Sequence, residues 1–168
     1  AREIFKKEGH SIDYDLMNWA RAVADVREGK FNALVGCSKA DAVGFIFPKV
    51  PIGILVNYYY ALAESKWSYT GVDSLKSKMI GVINEYSYGD TIDEQIKKKN
   101  PALKLVSGSD PLLRLIQMTE SKRLDGFIEN PLVLEYNLGL MKKDIKKFKA
   151  VSPNLANDPD LFISFAPG

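Results

Sequence analysis

A short polar and aromatic turn between two regular elements is the stretch of this sequence best suited to chemistry. The apolar run 80–83 ends at Asn84, and Ser87 follows between Tyr86 and Tyr88, just before a helix-like pattern begins. A helix N-terminus presents unpaired N–H groups and a positive dipole, which favour an anionic or strongly polar group. Serine is also a preferred N-cap residue. The turn therefore predicts either a ligand contact or a plain helix cap at Ser87.

Composition excludes several kinds of site elsewhere in the chain. Cys37 and His10 are the only cysteine and the only histidine, which removes internal disulfides, histidine-based triads and most zinc sites. No phosphate-binding loop is present, and no two acidic residues have a spacing typical of paired catalytic carboxylates. The net charge of +2 in 168 residues is too small to indicate a nucleic-acid partner. We therefore expect a protein that is not an enzyme and that needs no metal and no cofactor.

Hydrophobic patterns divide the first part of the chain into a strand, a helix and a second strand. Ile12, Tyr14 and Leu16 alternate with polar residues, which predicts a half-exposed strand. Apolar residues at helical spacing follow over 19–26, and 31–35 is a short apolar run. A strand–helix–strand unit predicts that the two strands pair in parallel.

A second series of strands and helices occupies the rest of the chain. Its predicted strands cover 79–83, 103–106, 125–129, 148–151 and 161–165. Two of its helices begin with a polar residue followed by proline, at Asp110-Pro111 and at Asn130-Pro131. The apolar and aromatic run 52–63 is longer than a typical strand, so we expect it to pass from one lobe to another.

These elements predict an α/β fold of two lobes, each a sheet flanked by helices, joined by crossing strands. The first and partial lobe covers 1–62, the second covers 63–157, and 158–168 returns to the first. Two crossings between lobes form a hinge, which we place at 52–68 and 156–163. The cleft beside such a hinge usually holds a small ligand.

Four segments resemble one known protein family, and they occur in that family's order. They are Gly29–Gly36, Trp67–Val82, Lys122–Ile128 and Leu161–Gly168. In these segments the chain resembles the bacterial extracellular solute-binding proteins of family 3. Those are type II periplasmic binding proteins, many of which serve amino-acid ABC transporters. The family's first strand and its C-terminal helices have no counterpart, so the chain resembles a core truncated at both ends.

This resemblance implies a function. A protein of this kind captures a small polar ligand, amino-acid-like or a small carboxylate, in the cleft and delivers it to the membrane permease of an ABC transporter. It is periplasmic or extracellular. The alternative is a ligand-sensing domain of a membrane histidine kinase or cyclase, and an enzyme on the same fold is a weaker alternative. A first lobe without its first strand has an open sheet edge, through which a second copy could pair or swap a strand.

The resemblance also implies which residues contact the ligand. Ser87 falls on a Ser/Thr position that binds the ligand carboxylate in the family. Asn130 falls on the position of an aspartate that pairs with the ligand ammonium. The full predicted set is Ser38, Lys39, Tyr60, Tyr86, Ser87, Tyr88 and Asn130.

Two of these positions depart from the family pattern. The first-lobe arginine that clamps a carboxylate is absent from 41–44, so Lys39 is the remaining source of positive charge there. Asn130 is neutral, and Glu129 beside it is expected to point the other way on its strand. Without a guanidinium and a carboxylate, ordinary α-amino-acid recognition is not expected, and the ligand stays open.

Overall fold

The secondary structure is mixed α/β throughout the computed structural model, which describes residues 2–17, 19–39, 41–84, 86–155 and 160–167. The helices are α1 (Arg2–Lys7), α2 (Trp19–Arg27), α3 (Asp90–Lys97), α4 (Pro111–Glu120) and α5 (Pro131–Leu140). The strands are β1 (Ala33–Cys37), β2 (Gly53–Ile54), β3 (Tyr58–Leu62), β4 (Ile80–Ile83), β5 (Leu103–Val106), β6 (Gly126–Glu129), β7 (Phe148–Ala150) and β8 (Asp160–Phe165). Short 3-10 helices span Val72–Leu75 and Ile145–Lys147. Within the described ranges, no helix has the length and apolar character needed to cross a membrane.

The larger sheet has five strands in the order β5-β4-β6-β3-β7. β4 runs parallel to β5 and to β6, with Ile80 opposite Leu103 on one side and Gly126 on the other. β3 runs antiparallel to β6 and to β7. Helices α3 and α4 connect the parallel strands, as parallel pairing requires. The strands predicted in this part of the chain are therefore confirmed.

Both faces of the larger sheet are covered, which explains why β4 and β6 are buried along their whole length. On one face Val82 packs in a cluster with Ile92 of α3. On the other face Phe127 packs in a cluster with Leu115 of α4. A Cβ atom at Gly81 would collide with the Leu115 side chain, so glycine lets α4 approach β4 closely.

The smaller sheet has three strands in the order β1-β8-β2, and both pairings are antiparallel. Its core consists of Val26 from α2, Leu34 and Cys37 from β1, and Ala42 and Phe45 from the following turn. Among the described strands β1 pairs only with β8, so its other edge is open.

The strand predicted at Ile12, Tyr14 and Leu16 is wrong. Residues 11–17 have no regular secondary structure, and Tyr14 and Leu16 are exposed. A strand needs partners for its backbone groups as well as an alternating pattern, and no described strand pairs with this segment. The parallel unit expected in the first lobe is also wrong, because β1 pairs antiparallel with β8.

The chain passes between the two sheets at two neighbouring points. The run 52–63 goes from one sheet to the other as predicted, but as two strands, β2 and β3, separated by 55–57. The return runs from β7 to β8. Asn57 joins the two crossings, since its N–H donates to Asn154 Oδ1 and its C=O accepts from Leu155 N, both at 2.9 Å. Of the predicted return and hinge segments, 156–159 and Gly168 lie outside the described residues.

Candidate functional site

The carboxyl ends of β4 and β6 lie side by side at one edge of the larger sheet, because the two strands are parallel neighbours. The turn 86–89 follows β4. Glu129 is the last residue of β6, and Asn130 comes directly after it. In open α/β sheets, ligands bind outside the carboxyl ends of the strands. We define the strand-end site as Tyr86, Ser87, Tyr88, Glu129 and Asn130.

The polar groups of the turn hold a carboxylate that belongs to the protein itself. Ser87 Oγ donates to Asp93 Oδ2 at 2.6 Å, and the backbone N–H of Tyr88 donates to Asp93 Oδ1 at 2.8 Å. Asp93 lies in the first turn of α3, where a negative charge also complements the helix dipole. The N-cap of α3 is Gly89, with φ of 93°, and not Ser87. The cap predicted at Ser87 is therefore wrong, because Asp93 reaches back over the turn.

The two tyrosines of the turn have different environments. Tyr88 is 3% exposed, and its hydroxyl oxygen accepts a 2.7 Å hydrogen bond from the N–H of Ile83 at the end of β4. Burial raises the pKa of Tyr88. Tyr86 is 48% exposed, with its ring centroid 6.4 Å from that of Tyr88. Tyr88 thus closes the end of β4, whereas Tyr86 presents a ring to the outside of the strand-end site.

Glu129 is the functional candidate that sequence reasoning missed. It is 6% exposed, and its Oε1 accepts a 2.7 Å hydrogen bond from the N–H of Asn130. Burial raises the pKa of Glu129 from 4.5 to about 7, although that hydrogen bond opposes the shift. Burial is the largest cause that raises the pKa values of Tyr60, Tyr86 and Tyr88, and the negative charge of Glu129 raises all three further. The carboxylate therefore lies near these phenols. The sequence signal that could have identified it was an acid at the end of an apolar strand.

Asn130 is the N-cap of α5, as its sequence position before proline indicates. Its Oδ1 accepts from Leu132 N at 2.9 Å and from Val133 N at 3.4 Å. Its Nδ2 donates to the carbonyl of Val56, in the first crossing segment, at 2.9 Å. The side chain therefore connects the strand-end site to the crossing, and both its oxygen and its nitrogen already have partners.

Solved structures with the same arrangement identify the fold. An ancestral arginine-binding protein bound to arginine superposes with a TM-score of 0.70 at 18% identity, over 99% of this chain and 72% of its own. A putative L-cystine ABC transporter from Listeria monocytogenes superposes with 0.70 at 16% identity, over 97% and 69%. The chain has a type II periplasmic-binding-protein fold.

A third structure, a probable amino-acid ABC transporter extracellular-binding protein from Bacillus subtilis, superposes with a TM-score of 0.66 at 17% identity, over 97% of this chain and 72% of its own. The two-lobed fold predicted from the sequence is confirmed, and so is the resemblance at the level of fold. No protein-family model matches the chain, and no curated protein sequence matches it. At these identities the likeness establishes the architecture and not the ligand.

In this binding-protein fold, the predicted first-lobe residues are placed after β1. Ser38 is buried, and both its N–H and its hydroxyl donate to Asp41 Oδ2, at 2.9 and 2.8 Å. Lys39 is exposed, with Nζ 5.4 Å from the centroid of the Phe162 ring. Asp41, in the segment 41–44 where the resemblance leads to an expected arginine, is thus held by Ser38, and Lys39 lies at the surface.

Tyr60 packs mainly as a core residue of the larger sheet. It is 6% exposed, and its ring stacks on Phe127 with centroids 5.9 Å apart. Burial, with the charges of Tyr58 and Glu129, raises the pKa of Tyr60 to about 12. Tyr60 therefore packs in the core next to the strand-end site, on the face of β3 that it shares with Tyr58.

A cavity of about 760 Å³ lies in the first lobe, away from the strand-end site. The segment 10–17, helix α2, β1 and part of β8 line it, and it contains none of the seven predicted contact residues. Among the described residues, no group of three or more His, Cys, Asp or Glu side chains is placed to hold a metal ion.

Replacing Asn130 by alanine is expected to destabilise the protein by about 1–3 kcal/mol, since it removes a helix cap and leaves the carbonyl of Val56 without its partner. Asp110→Ala is the matched control, because Asp110 is the N-cap of α4 but makes no side-chain cap hydrogen bond. We expect that control to change the free energy of unfolding by less than about 0.5 kcal/mol. Urea unfolding measures both, and equal losses would contradict the assigned role of Asn130.

Replacing Glu129 by glutamine is expected to stabilise the ligand-free protein at pH 8 and to have little effect at pH 5. The folded state binds the Glu129 proton more tightly than the unfolded state, so wild-type stability falls as pH rises from about 4.5 through about 7. Glutamine keeps an oxygen to accept from Asn130 N but carries no charge. The gain at pH 8 is on the order of 3 kcal/mol, from about 1.4 kcal/mol per pKa unit.

Urea unfolding at the two pH values checks this prediction for Glu129. The exposed residue Glu135 on α5 supplies the control, because Glu135→Gln is expected to have the same small effect at both pH values. A Glu129→Gln variant whose advantage does not grow between pH 5 and pH 8 would show that the carboxylate is well solvated or paired in the folded state.

Proposed function

We propose that the protein is a solute-binding protein that closes its two lobes on a small polar ligand. The observation that carries this proposal is the return of the chain, since its last strand in the larger sheet is β7 and the next strand, β8, lies between β1 and β2 of the smaller one. Two adjacent crossings allow one lobe to rotate against the other without breaking either sheet. We propose a first lobe boundary at 55–57 instead of the predicted 62, because β3 belongs to the larger sheet.

The ligand would bridge the lobes and favour the closed state by its greater affinity for that state. The second lobe offers the strand-end site, where Tyr86 is the most exposed ring. The first lobe offers the turn after β1, with Lys39 exposed. Ser87 Oγ can donate to a ligand only if Asp93 gives up its hydrogen bond, although the same oxygen is able to accept one from a ligand. Asn130 acts mainly through its hydrogen bond to the carbonyl of Val56.

The transport role rests on the resemblance and on the names of the structural neighbours. The neighbours include an arginine-binding protein bound to arginine and a putative L-cystine ABC transporter. We propose by analogy an amino-acid-like ligand, delivery to an ABC-transporter permease, and a periplasmic or extracellular location. A second copy adding a strand at the open edge of β1 is part of the same proposal.

A thermal-shift screen against amino acids, small carboxylates, amines, short peptides and sugars tests the binding function. A ligand at about 100 times its Kd stabilises the native state by about 2.7 kcal/mol, which raises the Tm of a domain of this size by about 5–10 °C. We expect Tyr86→Ala to reduce the rise, whereas Tyr136→Ala, which removes an exposed tyrosine on α5, should leave it unchanged. No rise with any class would contradict the proposed function.

A further inference from the structure

We infer that the strand-end site binds a positively charged group of the ligand, an ammonium or a guanidinium, with Glu129 as its counter-ion. This inference rests on the proposed function, because it names the class of solute that the cleft accepts. The residue is not the one that the family resemblance indicates, since the ammonium-binding position of that family corresponds to the neutral Asn130.

The first argument is that Glu129 is a buried carboxylate without a cation. Among the described residues it takes part in no salt bridge, and no hydrogen bond reaches its second oxygen, Oε2. Asp25, the other buried acid in the part of the chain that the structure describes, is paired with both Arg21 and Lys30. Buried carboxylates are ordinarily paired or neutralised. The strand-end site thus lacks one positive charge, which a ligand can supply.

The second argument is that the turn after β4 already holds an anion, the carboxylate of Asp93. Asp93 accepts from both Ser87 Oγ and Tyr88 N, and the hydroxyl oxygen of Tyr88 accepts from Ile83 N. An anionic ligand would have to displace Asp93 to reach Ser87 Oγ and Tyr88 N, and it would then lie near the negative charge of Glu129. Electrostatic complementarity therefore favours a cation over an anion.

The third argument is the aromatic wall around the carboxylate. The ring centroids of Tyr86 and Tyr88, in the turn after β4, are 6.4 Å apart. Those of Tyr58 and Tyr60, on β3, are 6.3 Å apart, and Tyr58 is directly opposite Glu129 in the sheet. The faces of tyrosine rings attract ammonium and guanidinium groups within about 6 Å. The half-exposed ring of Tyr86, and the partly buried ring of Tyr58 opposite Glu129 in the sheet, are therefore the rings available to an organic cation.

Pairs of solutes in which a hydroxyl replaces an ammonium group test this inference. Putrescine is compared with butane-1,4-diol, and amino acids are compared with the corresponding 2-hydroxy acids, by thermal shift and by calorimetry at pH 8. We expect the member with an ammonium group in at least one pair to bind, and its hydroxyl counterpart to bind at least tenfold more weakly. Glu129→Gln should fold at least as stably as the parent at this pH, and it is expected to weaken binding of the cation at least tenfold. Glu135→Gln should leave its affinity unchanged.

The possible results separate this inference from the proposed function. Cations that bind Glu129→Gln as tightly as the parent would overturn the role of Glu129 and leave the binding function intact. The same holds if only solutes without an ammonium or guanidinium group bind. If no solute of any charge binds, the proposed function fails and the inference fails with it. As a further readout, a cation held by Glu129 should release a proton on binding near pH 7, which calorimetry in buffers of different ionisation enthalpy detects.

Discussion

Parallel pairing of β4 with β6 is the constraint on which the strand-end site depends. The pairing fixes the register Ile80–Gly126 and brings the ends of both strands to one edge. The register is possible because the helices can approach closely, and a side chain at Gly81 would push Leu115 of α4 away from the sheet. Once the register is set, the turn after β4 must lie beside Glu129, although the two are more than forty residues apart in the sequence.

The site is a compromise between burial and charge. Asp25 shows how this protein ordinarily stabilises a buried acid, with an arginine and a lysine on either side. Glu129 has a single backbone N–H, so in the ligand-free protein burial disfavours its charged form. Removing that cost by supplying a cation is a source of binding free energy that does not require new apolar contact. Glu129 would then lower the stability of the ligand-free protein and raise its affinity for a cationic ligand.

Local signals predicted the larger sheet well. The strands 80–83, 103–106 and 126–129 are short apolar runs, and the Asn-Pro pair marks the start of α5 because a capping side chain and a fixed φ act within four residues. Such features depend on neighbours in the sequence, so they can be derived without the fold. Crossing between the sheets was also predictable, since 52–63 is too long for one strand.

The failures involve contacts that only the three-dimensional fold decides. Ile12, Tyr14 and Leu16 have the alternation of a strand, but a strand also needs an adjacent edge. The turn at Ser87 has the residues of a cap, but Asp93 on the next helix accepts its hydrogen bond. Glu129 was judged from strand alternation alone. Glu129 acts electrostatically on Tyr60, Tyr86 and Tyr88, which only the fold brings near it.

The most direct test is to measure the titration of the Glu129 carboxyl in the free protein by NMR with ¹³C-labelled glutamate, using Glu129→Gln to assign the signal. The structure predicts a pKa of about 7 for this group, because it is buried without a cation. Titration near the ordinary value of a glutamate would contradict this, since it would show that the carboxylate is already solvated or paired and that the strand-end site has no charge for a ligand to neutralise.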